Sequence, residues 1–162
     1  MKLIYLSLGS NLGLREQYLE EAIKLIQSRI GEPVSISPVY ESEPWGYSSN
    51  NKFCNCCLSV RSSLDPLKLL DCILEIEKEM GRERDEAETG YSDRIIDIDL
   101  LFYENLVMAH PRLNIPHPAI ANRKFILVPL NDIAPEMIHP VSGITVKQML
   151  QQCADSSELR AF

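Results

Sequence analysis

Ile95-Ile96-Asp97-Ile98-Asp99-Leu100-Leu101-Phe102-Tyr103 is the strongest strand in the chain, and two acids interrupt its β-branched, leucine and aromatic residues. Successive side chains of a strand point to opposite faces. Asp97 and Asp99 therefore project together, roughly 6.7 Å apart along the chain, while Ile96, Ile98 and Leu100 fill the other face. On one face of a central strand two carboxylates repel each other, and burying them unpaired is costly. A cation removes that conflict, since magnesium is commonly held by one or two carboxylates plus phosphate oxygens and water. Two metals bridged by such acids sit about 3.5–4 Å apart, a spacing that suits phosphoryl transfer. Chance acids on an exposed strand face would also give this pattern, and that reading stays open at this point.

Working outward, residues 2–8 form an apolar strand, and Gly9-Ser10-Asn11 is a turn in which Asn11 is expected to cap a helix over 12–28. Gly31 and Pro33 end that helix. Val34 to Ser42 is a second strand, with Pro38 marking an edge or a bulge. Residues 43–51 are a loop, and Lys52 to Ser62 is a third strand. Asp65 caps a helix that begins at Pro66 and stops near Gly81. Residues 82–94 are almost devoid of apolar side chains and are expected to be a mobile surface loop. After the Ile95–Tyr103 strand come a proline-rich stretch, 111–118, a short helix over 122–130 interrupted by Pro129, and a last helix from Thr145 to Gln152. The order β-α-β-β-α-β predicts an α+β fold: a ferredoxin-like antiparallel sheet with helices on one face and a C-terminal helical extension.

The 162 residues fit a single domain, 1–162, and 45% apolar with 24% charged composition is that of an ordinary soluble protein. No apolar run is long enough to cross a membrane, and the N-terminus reads as a strand and not as a signal peptide, so a cytoplasmic location is expected. Net charge of -7 argues against nucleic acid as a partner, yet leaves room for a phosphate ligand on a local arginine cluster. The five cysteines are expected to be reduced thiols. Cys54, Cys56 and Cys57 resemble a soft-metal cluster, but the first two share one strand face and Cys57 points the other way, which favours buried packing.

Arg82, Arg84 and Arg94 precede the acidic strand, and Arg112 and Arg123 follow it. Guanidinium forks match phosphate oxygens, although a mixed-charge solvated loop would look the same. No Walker loop or protein-kinase signature exists, so ATP chemistry would need another scaffold. His110, His117 and His139 match no tight zinc spacing, and His117 is more useful as a hydrogen-bond donor to phosphate. Trp45, Phe53 and Phe125 are candidates to sandwich a flat heterocycle, or simply core residues.

With these residues assembled, Arg94 to Leu101 closely resembles the signature of the 6-hydroxymethyl-7,8-dihydropterin pyrophosphokinase family. The likeness also takes in Tyr5 to Gly13, Ser37 to Gly46, Phe53-Cys54-Asn55, Gly81-Arg82, Ile115 to Pro118, Asn122 to Phe125 and Ile133 to Glu136. The resemblance implies a ferredoxin-like enzyme of folate biosynthesis that transfers diphosphate from ATP to the pterin hydroxymethyl group. It implies that Asp97 and Asp99 hold two Mg2+ ions, with Arg82 and Arg94 also catalytic. On the pterin side it implies Ser42, Pro44, Trp45, Gly46 and Asn55, with Phe53 and Phe125 stacking on the two ring faces. On the ATP side it implies Glu77, Arg82, Arg84, Arg94, Leu100, Arg112, His117 and Arg123. The chain departs from the family pattern at Asp93, usually a small residue or proline, at Ile95, often threonine, at Tyr91, often tryptophan, and at Pro118, sometimes aromatic. The 82–94 loop is expected to close over ATP as a lid, and a monomer is expected. The rivals are a non-catalytic ferredoxin-like ligand-binding domain and a metal carrier using the three clustered cysteines.

Overall fold

The computed structural model describes residues 1–82 and 92–162. Arg84, Tyr91 and most of the loop expected over 82–94, with its mobility and lid role, lie outside the described residues. Strand β1, Lys2–Ser10, pairs antiparallel along its whole length with β4, Phe53–Ser62, and from Ile4 to Gly9 with β5, Asp97–Tyr103. The second expected strand is two strands, β2, Gly31–Ile36, and β3, Tyr40–Ser42, both antiparallel to β4. Ser37-Pro38-Val39 separates them, since Pro38 has no N–H to offer a ladder. A C-terminal strand β8, Leu159–Ala161, extends the sheet beyond β3, giving the order β5-β1-β4-β3-β8 with β2 also on β4. The acidic strand therefore lies at the sheet's edge and is not central as expected, and within it only Asp97 and Asp99 are partly exposed.

Helices α1, Arg15–Arg29, and α2, Pro66–Glu79, cover one face. There Leu19, Ala22 and Ile26 of α1 and Leu69, Ile73 and Ile76 of α2 meet Ile4, Leu6, Leu8, Cys54, Cys56, Leu58, Ile98 and Leu100 of the sheet. This is the ferredoxin-like arrangement that the strand order predicts. A 3-10 turn, Ile120–Asn122, leads into α3, Lys124–Ile133, and with α4, Val146–Gln152, it packs on the opposite face against Tyr5, Cys57, Leu101 and Phe102. Cys54 and Cys56 thus lie in one core and Cys57 in the other, as the strand period requires.

Local chemistry explains most of the boundaries. Asp65 accepts a hydrogen bond from Lys68 N at 3.0 Å, with Pro66 opening α2. Thr145 and Gln148 form a capping box at α4. Gly81, at φ 97°, ends α2: Gly81 N donates to Lys78 O and Arg82 N to Glu77 O, both at 3.0 Å. That C-cap delivers Arg82 beside Glu77. Asn11 does not cap α1, whose N-cap Leu14 has no side-chain bond. Pro129 does not interrupt α3; it lies buried inside the helix, where only the in-helix donor to the Phe125 carbonyl is lost. A short hairpin, β6 Met108–His110 with β7 Leu113–Ile115, occupies part of the proline-rich stretch.

Candidate active site

The face of the sheet that carries α3 is left open near the N-terminal end of β5. Into this opening project Ser7 and Gly9 from β1, Phe53 and Asn55 from β4, and Asp97 and Asp99 from β5. Pairing puts Asp99 opposite Ser7 and Asp97 opposite Gly9, so the carboxylates face a small-residue strip. Phe125, Arg123 and the loop after β3 wall the opening into a cleft.

Asp97 is held by two guanidinium groups, Arg82 Nη1 at 2.9 Å from Oδ1 and Arg94 Nη1 at 3.3 Å from Oδ2. Arg82 also pairs with Glu77, which is buried and accepts from Ile98 N at 3.0 Å. Asp99 is different: burial, then the Asp97 charge, push its pKa up to about 7. A carboxyl in that state is poised to take a cation. His117 Nε2 lies 4.0 Å from Asp99 Oδ1. Its Nδ1 accepts from Ala119 N at 3.1 Å, and burial followed by the Arg123 charge lowers its pKa to about 4. The neutral ring therefore carries its proton on Nε2, a donor aimed at the cleft. A bulge between β1 and β5 makes this possible: pairing skips Leu101, whose carbonyl accepts from His117 N at 2.9 Å.

At the other end, Asn55 donates its amide to Ser42 Oγ at 2.7 Å and is buried. Its Oδ1 stands over Gly9, where an added Cβ would meet it at 3.2 Å and the Phe53 ring at 3.4 Å. Gly9 is small so that ring and amide can lie flat beside the strand. The Arg123 guanidinium lies 4.7 Å from the Trp45 ring centroid and 5.8 Å from that of Phe125, joining the two aromatic walls. Trp45 and Ser42 line the cleft; Pro44 and Gly46 belong to the same loop without lining it.

A second cavity adjoins the first, and Asp99 and His117 line both. Glu77, Leu100 and Arg112 line it together with apolar residues of α2 and β7, and Arg112 pairs with Asp71 at its rim. The expected site residues thus fall into two groups that meet at Asp99 and His117, apart from Arg84, Pro44 and Gly46. Among the described residues no three of His, Cys, Asp and Glu assemble as a metal cluster, which leaves the cysteine carrier without a site. Asp97 and Asp99 do fit magnesium, an oxygen-seeking cation that takes its remaining ligands from phosphates. Sequence reading missed Ser7, Gly9, Tyr47 and Asn11; Asn11 carried a signal, a buried-capable amide in a turn, but it was assigned to a helix cap.

The model of the 7,8-dihydro-6-hydroxymethylpterin-pyrophosphokinase family matches residues 5–135. A 2-amino-4-hydroxy-6-hydroxymethyldihydropteridine pyrophosphokinase of Porphyromonas gingivalis is 41% identical over 141 residues, 86% of this chain and 95% of that one. One from Aquifex aeolicus is 40% identical over 148 residues, 91% of this chain and 90% of that one. Among solved structures, an HPPK-DHPS triple mutant of Plasmodium falciparum aligns with a TM-score of 0.77 at 20% identity, over 93% of this chain and 43% of that one. The chain therefore spans less than half of that longer protein, and the likeness to it is one of fold.

Proposed function

The chain belongs to the 7,8-dihydro-6-hydroxymethylpterin-pyrophosphokinase family, and from that premise we propose how its two cavities divide the work. It is a diphosphotransferase of folate biosynthesis that uses ATP as co-substrate. The pterin hydroxymethyl oxygen attacks the β-phosphorus of ATP and releases its proton to water, the bond from that phosphorus to the α-phosphate oxygen breaks, and AMP leaves. The pterin takes the cleft between Phe53 and Phe125, with Asn55 Oδ1 accepting from its N–H edge and Ser42, Trp45 and the loop carrying Pro44 and Gly46 closing it. ATP takes the second cavity, its base against Leu100 and the apolar α2 side chains, with Glu77 and Arg112 nearby.

The observation that carries this division is the position of Asp99 and His117, which line both cavities, with Asp97 beside them in the first. Asp97 and Asp99 would hold Mg2+, two ions by the family resemblance, and bound there the metal would neutralise phosphate charge and align the entering and leaving oxygens. Arg82, Arg94 and Arg123 gather positive charge on the reacting phosphates, and His117 Nε2 donates to a phosphate oxygen. Positioning dominates, because phosphoryl chemistry asks little covalent help of the protein. The acidic surface, net -7, supports small-molecule partners and not nucleic acid. Five free cysteines support a reducing, cytoplasmic setting, and a monomer suffices because one chain supplies both cavities. Among the described residues no helix is long and apolar enough to cross a membrane.

The test is a pair of substitutions read against magnesium. Asp97→Ala and Asp99→Ala should each lower kcat at least about a thousandfold, as loss of a main charge stabiliser does. Pterin binding measured by calorimetry should hold. Turnover near the wild-type rate in either variant would remove the metal assignment.

A further inference from the structure

Asp93 stands in the segment that leads into β5, against the loop that walls the pterin cleft, and its carboxylate is fully used. Its Oδ1 accepts from Asn11 Nδ2 at 2.8 Å and Tyr47 OH at 3.0 Å; its Oδ2 accepts from Ser49 Oγ at 2.9 Å and Asn51 Nδ2 at 2.7 Å. A carboxylate has about four lone-pair sites, and here each is taken. Desolvation works to raise the Asp93 pKa, but the four donors outweigh it and hold the group below its ordinary value, so it is charged at neutral pH. Three of the donors belong to residues 47–51, the continuation of the loop whose Trp45 and Tyr47 line the cleft.

The next residue is tied as firmly to the other end of the site. Arg94 N donates to Asn11 Oδ1 at 2.7 Å, Asn11 N donates to Arg94 O at 3.1 Å, and the Arg94 guanidinium pairs with Asp97 at 3.3 Å. Asn11, 2% exposed, thus joins the end of β1 to Asp93 and Arg94 at once. We propose that Asp93 is a positioning residue that locks the 45–51 loop against Arg94, so that the pterin wall and the phosphate-binding arginine are set as one unit. A small residue or a proline at position 93 offers no side-chain acceptor and could not make this lock. The proposal rests on the pterin assignment of the cleft for its kinetic consequence, but its structural part stands on the hydrogen bonds alone.

The chain has one tryptophan, Trp45, and it sits in the locked loop, so its fluorescence reports the lock without any chemistry. In Asp93→Ala, acrylamide quenching of Trp45 should rise and the pterin KM should rise about tenfold, the scale of losing bonds to a charged acceptor. The ATP KM should change less than about twofold, because Arg94 keeps its Asn11 and Asp97 contacts. Ser49→Ala combined with Asn51→Ala removes two donors from an exposed loop and leaves Asp93 in place. It should move quenching and pterin KM the same way, which covers the case of an Asp93→Ala protein that does not fold. Unchanged quenching in the double variant would overturn the lock, as would a kcat loss with both KM values fixed. If wild-type protein makes no AMP while quenching still responds, the reading of the reaction fails and the lock survives.

Discussion

At the scale of single residues the site is a problem in placing charge, and the Asp99–His117 pair shows how it is solved. Desolvation and the Asp97 charge hold Asp99 protonated up to about pH 7, while desolvation and the Arg123 charge keep His117 neutral down to about 4. Glu77 adds to the rise at Asp99 and Arg94 opposes it. A proton that water would place on His117 therefore resides on Asp99 in the metal-free fold. A carboxyl raised in the folded state contributes stability that is lost as pH climbs through the folded value. A histidine lowered in the folded state does the reverse, adding stability as pH climbs from its folded value to 6.5. The two slopes oppose each other between about pH 4 and 6.5. His117→Asn should therefore lose stability as pH rises across that window, and Asp99→Asn should gain it, both read from urea midpoints without metal. Parallel slopes in the two variants would contradict the assignment. At Gly9, a strand glycine without positive φ, alanine should raise the pterin KM about tenfold by pressing on Asn55 Oδ1 while leaving stability level or slightly higher. An unaltered pterin KM would show that Asn55 does not need that space. That Asp97 and Asp99 share one face was legible from strand period; the place of Gly9 was not, because its neighbours come from β4, far along the chain.

At the scale of elements, the bounds of α2 were legible, whereas the start of α1, where Asn11 does not act as the cap, and the strand pairing were not. Asp65, Pro66, Gly81 and Thr145 each act where local chemistry says they should. The break between β2 and β3, the three-residue strands β6, β7 and β8, and the passage of α3 through Pro129 depend on what each segment packs against. Gly31 was read as a helix stop, and its stronger constraint is in the sheet. A Cβ there would lie 1.9 Å from the Arg61 carbonyl oxygen. Gly31→Ala should cost about 1–3 kcal/mol in a denaturant melt, the usual scale of overpacking, while transfer activity of the folded fraction is kept. A midpoint equal to wild type would mean that β2 can move off β4 freely.

At the scale of the whole molecule, the fold makes one sheet serve two purposes. Helices α1 and α2 seal one face as a core, and α3 with α4 seals only part of the other, leaving a cleft floored by β1, β4 and β5. Placing β5 at the edge lets the second cavity reach Asp99 from beyond the sheet. The fold class followed from element order, whereas the edge position of β5 required knowing which strands pair, information that no single segment carries. The most direct measurement is chromatography of the nucleotides after incubating the protein with ATP, magnesium and 6-hydroxymethyl-7,8-dihydropterin. AMP that forms only when pterin and magnesium are both present is the predicted result; ADP in its place would mean attack at the γ-phosphorus and would contradict diphosphate transfer.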